Sequence, residues 1–413
     1  MKLRIMAPAL AVATVLMLPV SAQVAKLKVL HNFGATGDGS VPSGPLALDS
    51  KGNLYGVTTG GGAGCTGGCG TVFELSPRAS TWNENILYSF TAGSGGAYPW
   101  GGLLVASPAQ LYGAVEGYLS YAVGGVFELS HTSSGWSNTI LYDVYSGPGL
   151  VFDKVGNLYG TMGGGSTSYG AIGELSPGSG GWTYAQLYSF CPQWPCPGGY
   201  NQPAPPIWDA SGNLWGTMTE GGINQSPCFT SDGCGVIFEM TPNGDGTWTY
   251  NIMHQFASSS TDGQWPYGSL VMDAAGNFYG STWLGGTYNH GTIFKFSNVG
   301  GTWQETILYN FPNCTHGCMV EGTLAMDTAG NLYGTADGGA GTPSCGGAAC
   351  GVVFKLAPQT GGKWKYSVLY NLNQNTGGVP SLYGVILDGK GNLYGVTSAF
   401  GKYGAGTAFE ITP

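Results

Sequence analysis

A five-residue stretch, Gly52-Asn53-Leu54-Tyr55-Gly56, returns as near-copies along the whole chain and constrains the fold more than any other feature. The seven copies are centred 47 to 64 residues apart, at Leu54, Leu111, Leu158, Leu214, Phe278, Leu332 and Leu393. A period of this length is typical of solenoids and propellers, in which each repeat is one supersecondary unit. Local motifs therefore have to be interpreted as parts of a repeat.

The first repeat predicts four antiparallel strands. A strand over residues 46–49 and a second over residues 54–58 flank the turn at 50–53, and strands over 71–75 and 82–90 follow. Asp49 can accept hydrogen bonds from the amides of the turn, and Gly52 can take a positive φ, so the first pair forms a tight hairpin. This turn also explains the repeated Asp without a calcium ion.

Aromatic residues recur at fixed positions of the later repeats. The third strand is centred on Phe73, Phe127, Gly173, Phe238, Phe294, Phe354 and Phe409. A tryptophan opens the fourth strand, five residues before a Leu or Met, at Trp82, Trp136, Trp182, Trp248, Trp303 and Trp364. Constant spacing indicates side chains that pack between neighbouring sheets.

The two ends of the chain indicate a closed ring. The last repeat stops after its third strand, at residues 409–413, whereas residues 28–33 match the fourth-strand pattern before the first repeat begins. An N-terminal strand that completes the last sheet removes exposed edges. The predicted fold is all-β, a seven-bladed β-propeller of four-stranded antiparallel blades whose last blade is closed by the N-terminal strand. An open β-solenoid is the alternative, and it does not predict this exchange.

We expect residues 1–22 to be a signal peptide, because Lys2 and Arg4 precede an apolar run that ends at the small residues Ser21 and Ala22. The run is too short for a spanning helix, and no later run is long enough, so no membrane span is expected in the mature chain. Residues 23–413 are predicted to form one propeller, with the closing strand at 28–33 and repeats at about 35–90, 91–144, 145–190, 191–256, 257–311, 312–372 and 373–413.

The charge of the chain argues against a nucleic-acid partner. The net charge is −9, and the 13 Lys and Arg residues form no cluster of the kind that binds a phosphate backbone. Removal of the signal peptide takes away two of these positive charges, so the mature chain is more acidic still.

The ten cysteines fall into five local pairs, and an even number in an exported protein indicates disulfides rather than a metal site. The predicted pairs are Cys65/Cys69, Cys191/Cys196, Cys228/Cys234, Cys314/Cys318 and Cys345/Cys350. Each would rigidify one loop.

The motifs G-N-L-Y-G, [TV]-[VI]-F-E-L and W-x4-L-Y-x-F resemble those of the GloVer tandem-repeat family of exported bacterial proteins, over essentially all of residues 28–413. The resemblance implies a secreted or surface-held repeat protein, and it brings no defined reaction.

The topology predicts two unlike faces. The hairpin face carries the first-to-second and third-to-fourth turns. The looped face carries the second-to-third loops and the connections between blades, and all five cysteine pairs fall on it. We expect the functional site on the looped face, because loops on a rigid scaffold commonly carry function.

Aromatic residues on or near the looped face suit a sugar ring or a peptide. The candidates are Trp100, Trp194, Trp265, Tyr267, Trp283, Tyr288, His290 and His316, with Tyr98 nearby. The alternative is that these aromatics only seal the tops of the blade interfaces. Trp208 and Trp215 are assigned to strands, and His31 and His254 to the rim.

Carboxylates at the ends of second strands are expected near the channel mouth, at Glu116, Glu220 and Asp337. Two carboxylates at a suitable separation can hydrolyse a glycosidic bond, but these belong to blades two, four and six, so a catalytic pair is disfavoured. No catalytic residues, metal ligands or cofactors are predicted.

The leading hypothesis is an exported, non-catalytic protein that binds an extracellular glycan or protein through the looped face. The alternatives are a carbohydrate-active enzyme at the channel mouth and an architectural cell-surface protein. Location in the periplasm, outside the cell or on its surface fits each of these, and the sequence does not indicate an oligomeric state.

Overall fold

The computed structural model describes residues 25–91, 93, 95–116, 124–143, 146–162, 169–191, 196–201, 204–222, 228, 233–257, 259–338 and 350–413. In these residues the chain forms seven four-stranded antiparallel sheets and no α-helix. The seventh sheet has the strand order Pro380–Leu387, Leu393–Thr397, Thr407–Thr412, Lys26–Asn32. The predicted seven-bladed propeller and its closure by the N-terminal strand are therefore confirmed.

The strands of the other six blades are as follows, each set in chain order from the first strand to the fourth. Blade 1 has Gly39–Leu48, Leu54–Gly61, Thr71–Arg78 and Thr81–Ser89. Blade 2 has Pro99–Ser107, Gln110–Glu116, Gly124–Thr132 and Gly135–Tyr142. Blade 3 has Ser146–Phe152, Leu158–Met162, Ala171–Gly178 and Gly181–Ser189. Blade 4 has Ile207–Trp208, Leu214–Met218, Val236–Pro242 and Trp248–Gln255. Blade 5 has Val271–Met272, Phe278–Thr282, Thr292–Val299 and Thr302–Asn310. Blade 6 has Ala325–Met326, Leu332–Ala336, Val352–Pro358 and Trp364–Asn371.

Three short elements lie outside the blades. Blade 5 carries a small ribbon in which Gly263–Gln264 pairs with Leu284–Gly285. Two 3₁₀ turns cover Cys314–His316 and Thr360–Gly362. The described part of the chain contains no helix that is long and apolar enough to cross a membrane.

The second glycine of the repeated motif makes room for the phenylalanine of the third strand. Gly280 lies opposite Phe294 in the register of blade 5, and a Cβ on Gly280 would lie 2.5 Å from the Phe294 ring. Blade 3 has Gly173 at the phenylalanine position, and there the Tyr184 ring of the fourth strand fills the space. The motif therefore records a packing requirement within each sheet.

The tryptophans that open the fourth strands pack between blades, as their spacing predicts. Trp364 of blade 6 meets the Tyr279 ring of blade 5 edge-on, with ring centroids 6.3 Å apart. The same contact joins Trp82 to Tyr394, Trp182 to Tyr112 and Trp248 to Tyr159. Each blade thus buries a large aromatic surface against its neighbour.

The fourth strands share an irregularity in their pairing. In the six blades that the third-to-fourth registers cover within one repeat, the register shifts at the residue before the third-strand centre, for example between Ile237 and Phe238. The closing strand of blade 7 shows the corresponding shift between Val29 and His31. A β-bulge re-aims the side chain that follows it, and in these strands that position holds Tyr88 in blade 1, His254 in blade 4 and His31 in blade 7.

Candidate functional site

The first and second strands bring side chains to the channel mouth on the looped face. First strands of neighbouring blades contact one another, so they surround the axis. A Pro at the mouth, Pro42 or Pro99, pairs with the end of the second strand. The residue after this Pro lies at the mouth in each repeat, and it is Trp100 in blade 2, Tyr267 in blade 5 and Glu321 in blade 6.

Three predicted aromatics come together in blade 5. The indoles of Trp265 and Trp283 stack with centroids 5.5 Å apart and planes 13° apart, and Tyr267 packs edge-on against Trp283 at 6.2 Å. Trp265 is only 9% exposed and donates its indole N–H to the Gly233 carbonyl at 3.2 Å. Trp265 therefore supports the cluster from below, and the partly exposed Tyr267 and Trp283 offer its surface.

The backbone around Trp265 follows a rule of the repeat. Trp265 has a φ of 59°, and the equivalent residues of other connections between blades also have positive φ, at Val41, Tyr98, Asn201 and Met319. Five non-glycine residues in the left-handed region at one repeat position show that the connection imposes this conformation. The cluster is thus mounted on a rigid part of the looped face.

Carboxylates surround this aromatic cluster. Burial raises the pKa of the Tyr267 hydroxyl, and the negative charges of Glu321 and Glu220 raise it further. Burial, together with the charge of Asp337, raises the pKa of Glu321 to about 7, and burial also raises the pKa of Asp337. Blades 4, 5 and 6 therefore combine Glu220, Tyr267, Glu321 and Asp337 into one acidic group.

Glu321 was missed by the sequence analysis, which considered only carboxylates at the ends of second strands. The available signal was its position: Glu321 follows Val320 where Tyr267 follows Pro266, so both occupy the same place in the repeat.

The blade 2 candidates form a separate place on the ring. Trp100 is partly exposed and lies opposite Ala114 in the register. Glu116 ends the second strand of the same blade, and burial raises the pKa of its carboxyl. No contact or charge effect joins either residue to the acidic group of blades 4 to 6 within the described residues.

The outer candidates lie where blades 5 and 6 meet. Tyr288 is 55% exposed in the second-to-third loop of blade 5. His290 Nδ1 lies 3.9 Å from Cys314 Sγ, and the His290 carbonyl accepts the amide of Met319 at 3.0 Å. His316 is exposed, and its carbonyl accepts the Tyr366 hydroxyl at 2.6 Å. Only Tyr288 and His316 present their side chains openly to solvent.

Four of the five predicted disulfides are confirmed, at Cys65–Cys69, Cys191–Cys196, Cys228–Cys234 and Cys314–Cys318. Each lies in a loop or connection of the looped face. The prediction for Cys345 and Cys350 cannot be scored because Cys345, like the candidate Trp194, lies outside the described residues. The disulfides indicate an oxidising compartment, so the protein is extracellular or periplasmic. The predicted signal peptide also lies outside the described residues.

The hairpin face holds a pocket that the sequence analysis did not foresee. Its volume is about 430 Å³, and it lies between blades 3 and 4. Trp208 and Trp248 form one wall, with ring centroids 6.2 Å apart, and Val155 at its edge is 80% exposed. The Asp209 carboxylate at this pocket already accepts the Trp215 indole N–H at 3.0 Å, so the pocket is mainly an apolar surface.

Known structures resemble this fold at low sequence identity. A proposed oxidoreductase (glucose dehydrogenase) from Thermus thermophilus is 15% identical with a TM-score of 0.39, and the match covers 94% of this chain and 100% of that one. A proposed 6-phosphogluconolactonase from Bacteroides uniformis is 11% identical with a TM-score of 0.45, over 78% and 83% of the two chains. A protein of unknown function from Dyadobacter fermentans is 12% identical with a TM-score of 0.45, over 94% and 98%. No match was found among curated proteins.

A sequence comparison with protein families agrees with the repeat motifs. The Gloeobacter/Verrucomicrobia repeat matches residues 14–230 and again residues 202–413, so the two matches together span nearly the whole chain. The chain belongs to the Gloeobacter/Verrucomicrobia repeat family.

Proposed function

We propose that this protein is an exported recognition protein that binds an extracellular glycan, or a segment of a protein, at the looped face over blades 4 to 6. The observation that supports the proposal most strongly is the meeting of partly exposed aromatic rings with carboxylates at the channel mouth. Tyr267 and Trp283 give ring surfaces, and Glu220, Glu321 and Asp337 give acceptors within the same group.

This combination suits a hydroxyl-rich ligand. A ring face makes apolar contact with the C–H face of a sugar, and carboxylate oxygens accept hydrogen bonds from its hydroxyls. The concentration of negative charge disfavours anionic polysaccharides, because like charges in a partly buried site repel strongly. A neutral glycan is the first expected ligand, and a peptide with basic side chains is the second.

The site is also built to stay in place. The stacked Trp265 supports Trp283 from below, and the Cys314–Cys318 disulfide holds the start of blade 6 beside His290. Preorganised side chains lose little conformational entropy on binding. This rigidity supports recognition by a preformed surface.

A polysaccharide pull-down and glycan array on the protein with intact disulfides test the proposal, with each mixture also assayed for released sugar. We expect binding by the wild type and at least a tenfold loss when Tyr267→Ala is combined with Trp283→Ala. Trp208→Ala is the matched control, since it removes an aromatic side chain on the hairpin face. If Trp208→Ala abolished binding and the double variant did not, the site would be the hairpin-face pocket instead.

Carbohydrate hydrolysis is a second candidate, favoured by one observation. A Glu321 carboxyl with a pKa of about 7 beside a second carboxyl, Asp337, can hold a proton while another group is ionised, and such a pair is the requirement for acid–base hydrolysis of a glycoside. Release of sugar that is lost in Glu321→Gln would favour this function over recognition. No binding and no release would leave the architectural alternative.

The export part of the proposal rests on residues 1–22. Sequencing the N-terminus of the protein recovered from its native compartment should give a chain that begins at Gln23. A protein that still begins at Met1 would contradict cleavage.

A further inference from the structure

Two blade junctions hold the same set of potential metal ligands. At the junction of blades 4 and 5, His254 Nε2 lies 3.5 Å from Asp262 Oδ2 and 3.6 Å from Glu305 Oε2. At the junction of blades 7 and 1, His31 Nε2 lies 3.0 Å from Asp38 Oδ2 and 3.4 Å from Glu84 Oε2. In each set the three ligand atoms all lie within 4.8 Å of one another.

The same three repeat positions supply both sets. The histidine follows the bulge in the fourth strand of one blade, the Asp lies in the connection to the next blade, and the Glu lies two residues after the start of that blade's fourth strand. Both sets are well shielded, because the side chains of Asp262 and Glu305 are 2% and 10% exposed. A recurrence at two places, four junctions apart, argues against a chance grouping.

The other junctions use a different solution at these positions. Tyrosine rings stack there, with centroids 4.8, 4.1 and 4.6 Å apart, in the pairs Tyr142/Tyr184, Tyr188/Tyr250 and Tyr309/Tyr366. At the remaining two junctions the positions hold Tyr88 with Asn138 and Tyr370 with Leu27. The histidine is therefore present only where the Glu and the Asp are present too. Packing alone does not require such a joint replacement, because two tyrosines already fill the space.

Polar atoms in the clusters lack partners. Glu305 Oε1 and His254 Nε2 are buried and make no hydrogen bond, and Glu84 Oε1 at the other junction is in the same situation. Burial raises the pKa of Glu305 to about 10, helped by the charge of Asp262. Buried polar atoms without partners are rare in folded proteins and point to an absent ion or water.

The backbone fixes the Asp carboxylates in a ligating orientation. Asp262 Oδ1 accepts the Gly263 amide at 2.7 Å, and Asp38 Oδ1 accepts the Gly39 amide at 2.6 Å. In each case the other carboxylate oxygen is left facing the histidine. Outer hydrogen bonds of this kind are typical of metal sites, where they set the direction of the ligand.

The geometry indicates which ion fits. A tetrahedral ion with bonds of about 2.0–2.1 Å has ligand atoms roughly 3.4 Å apart, since a tetrahedral edge is about 1.63 times the bond length. The separations of 3.5 and 3.6 Å at His254 match this value. Imidazole with two carboxylates suits zinc and its first-row neighbours, whereas calcium and magnesium prefer ligand sets made of oxygen alone. Two carboxylates and a neutral imidazole also balance the charge of one divalent ion.

We propose that His254, Asp262 and Glu305 bind a divalent transition-metal ion, for which zinc is the reference, and that His31, Asp38 and Glu84 bind a second. Each ion joins the outer strands of two neighbouring blades. The ion at His31 holds the N-terminal strand to blade 1, so it clasps the ring at the place where the two ends of the chain meet. The fourth coordination position is left for water.

The test measures zinc stoichiometry on tag-free, metal-stripped protein with intact disulfides, by calorimetric titration and by elemental analysis after dialysis. The wild type is expected to bind two zinc ions per chain. The combination His254→Tyr with Glu305→Tyr copies the stacked pair of the other junctions, so it keeps the packing while it removes two ligands. This variant should bind one ion, and so should the combination His31→Tyr with Glu84→Asn, which copies the junction of Tyr88 and Asn138.

Controls make every outcome informative. His316→Gln changes an exposed histidine outside both clusters and should still bind two ions. Glu305→Gln keeps the side-chain shape, so it serves if the tyrosine variant does not fold, and it should weaken one site at least tenfold. Cobalt substitution adds a spectroscopic readout, because tetrahedral Co²⁺ absorbs visible light strongly and the intensity should halve in each double variant. Absence of zinc from the wild type, or a stoichiometry of two that survives both double variants, would overturn the proposal.

Discussion

Replacement of Asp273 by Ala tests the hairpin that repeats in six of the seven blades. Asp273 Oδ1 accepts the amides of Ala275 and Asn277, both at 2.9 Å, and Oδ2 accepts Asn277 Nδ2 at 2.7 Å and the Tyr279 hydroxyl at 3.0 Å. The three bonds from Asn277 and Tyr279 are partly buried, and the bond from Ala275 is exposed. At about 1 kcal/mol net for each partly buried bond, the free energy of unfolding should fall by about 3 kcal/mol.

The expected shift in melting temperature follows from the size of the chain. The entropy of unfolding is about 2 cal/mol/K per residue. A chain of about 390 residues therefore loses roughly 1 °C for each kcal/mol, and Asp273→Ala should lower Tm by about 4 °C. Differential scanning calorimetry at neutral pH measures this change.

Asp245→Ala is the matched control for this experiment. Asp245 also accepts two hydrogen bonds, from the amide and the hydroxyl of Thr247, but it does so in a fully exposed turn. The control removes the same charge, and its Tm should stay close to that of the wild type. Equal shifts in the two variants would refute the idea that the buried network of the repeated turn is what stabilises each blade.

Three further predictions concern packing, pH and closure. Gly280→Ala should destabilise the protein by about 1–3 kcal/mol, because its Cβ would meet the Phe294 ring at 2.5 Å, whereas Gly389→Ala meets no atom within 4 Å and should be neutral in the same denaturation assay. Glu321 has a pKa raised by burial to about 7 from an ordinary value near 4.5, so the folded state favours its protonated form and stability should fall as pH rises from about 4.5 to 7. Glu321→Gln should flatten a plot of Tm against pH in that window, and an unchanged slope would contradict the assignment. Deletion of residues 1–33 should leave the strand Thr407–Thr412 without its partner and produce self-association on size-exclusion chromatography, whereas deletion of residues 1–22 alone should leave a monodisperse peak like that of the full chain.

The repeat made most of the fold predictable from the sequence. Seven copies of one pattern, with local cysteine pairs and a fourth-strand pattern at residues 28–33, are signals that depend on short spacings along the chain. Their structural counterparts, the hairpins, the loop disulfides and the closing strand, are set by the same local geometry. Trp364 and its equivalents could be assigned to blade interfaces for the same reason.

The candidate site was less predictable because it depends on contacts between blades. The sequence gives the blade in which Glu220, Tyr267 and Glu321 lie, but the rotation from one blade to the next decides whether their charges reach one another. Trp265 and Trp283 looked equivalent as loop aromatics, and packing alone made one a buried support and the other a surface.

The same limit applies to the histidine clusters. His254 occupies a position that is tyrosine in most repeats, and this substitution signals little until Asp262 and Glu305 are seen to meet it across the junction. Glu305 is also distant from His254 along the sequence, so the grouping emerges only from the closed ring.

Hydroxyl-radical footprinting with mass spectrometry, on the protein with and without a glycan selected by the array, tests the central claim most directly. The account predicts that bound ligand protects Tyr267, Trp283 and Tyr288 on the looped face, while Trp208 and Val155 at the hairpin-face pocket are oxidised at an unchanged rate. Protection of Trp208 and Val155 with no change at Tyr267 and Trp283 would contradict the account and move the binding site to the opposite face.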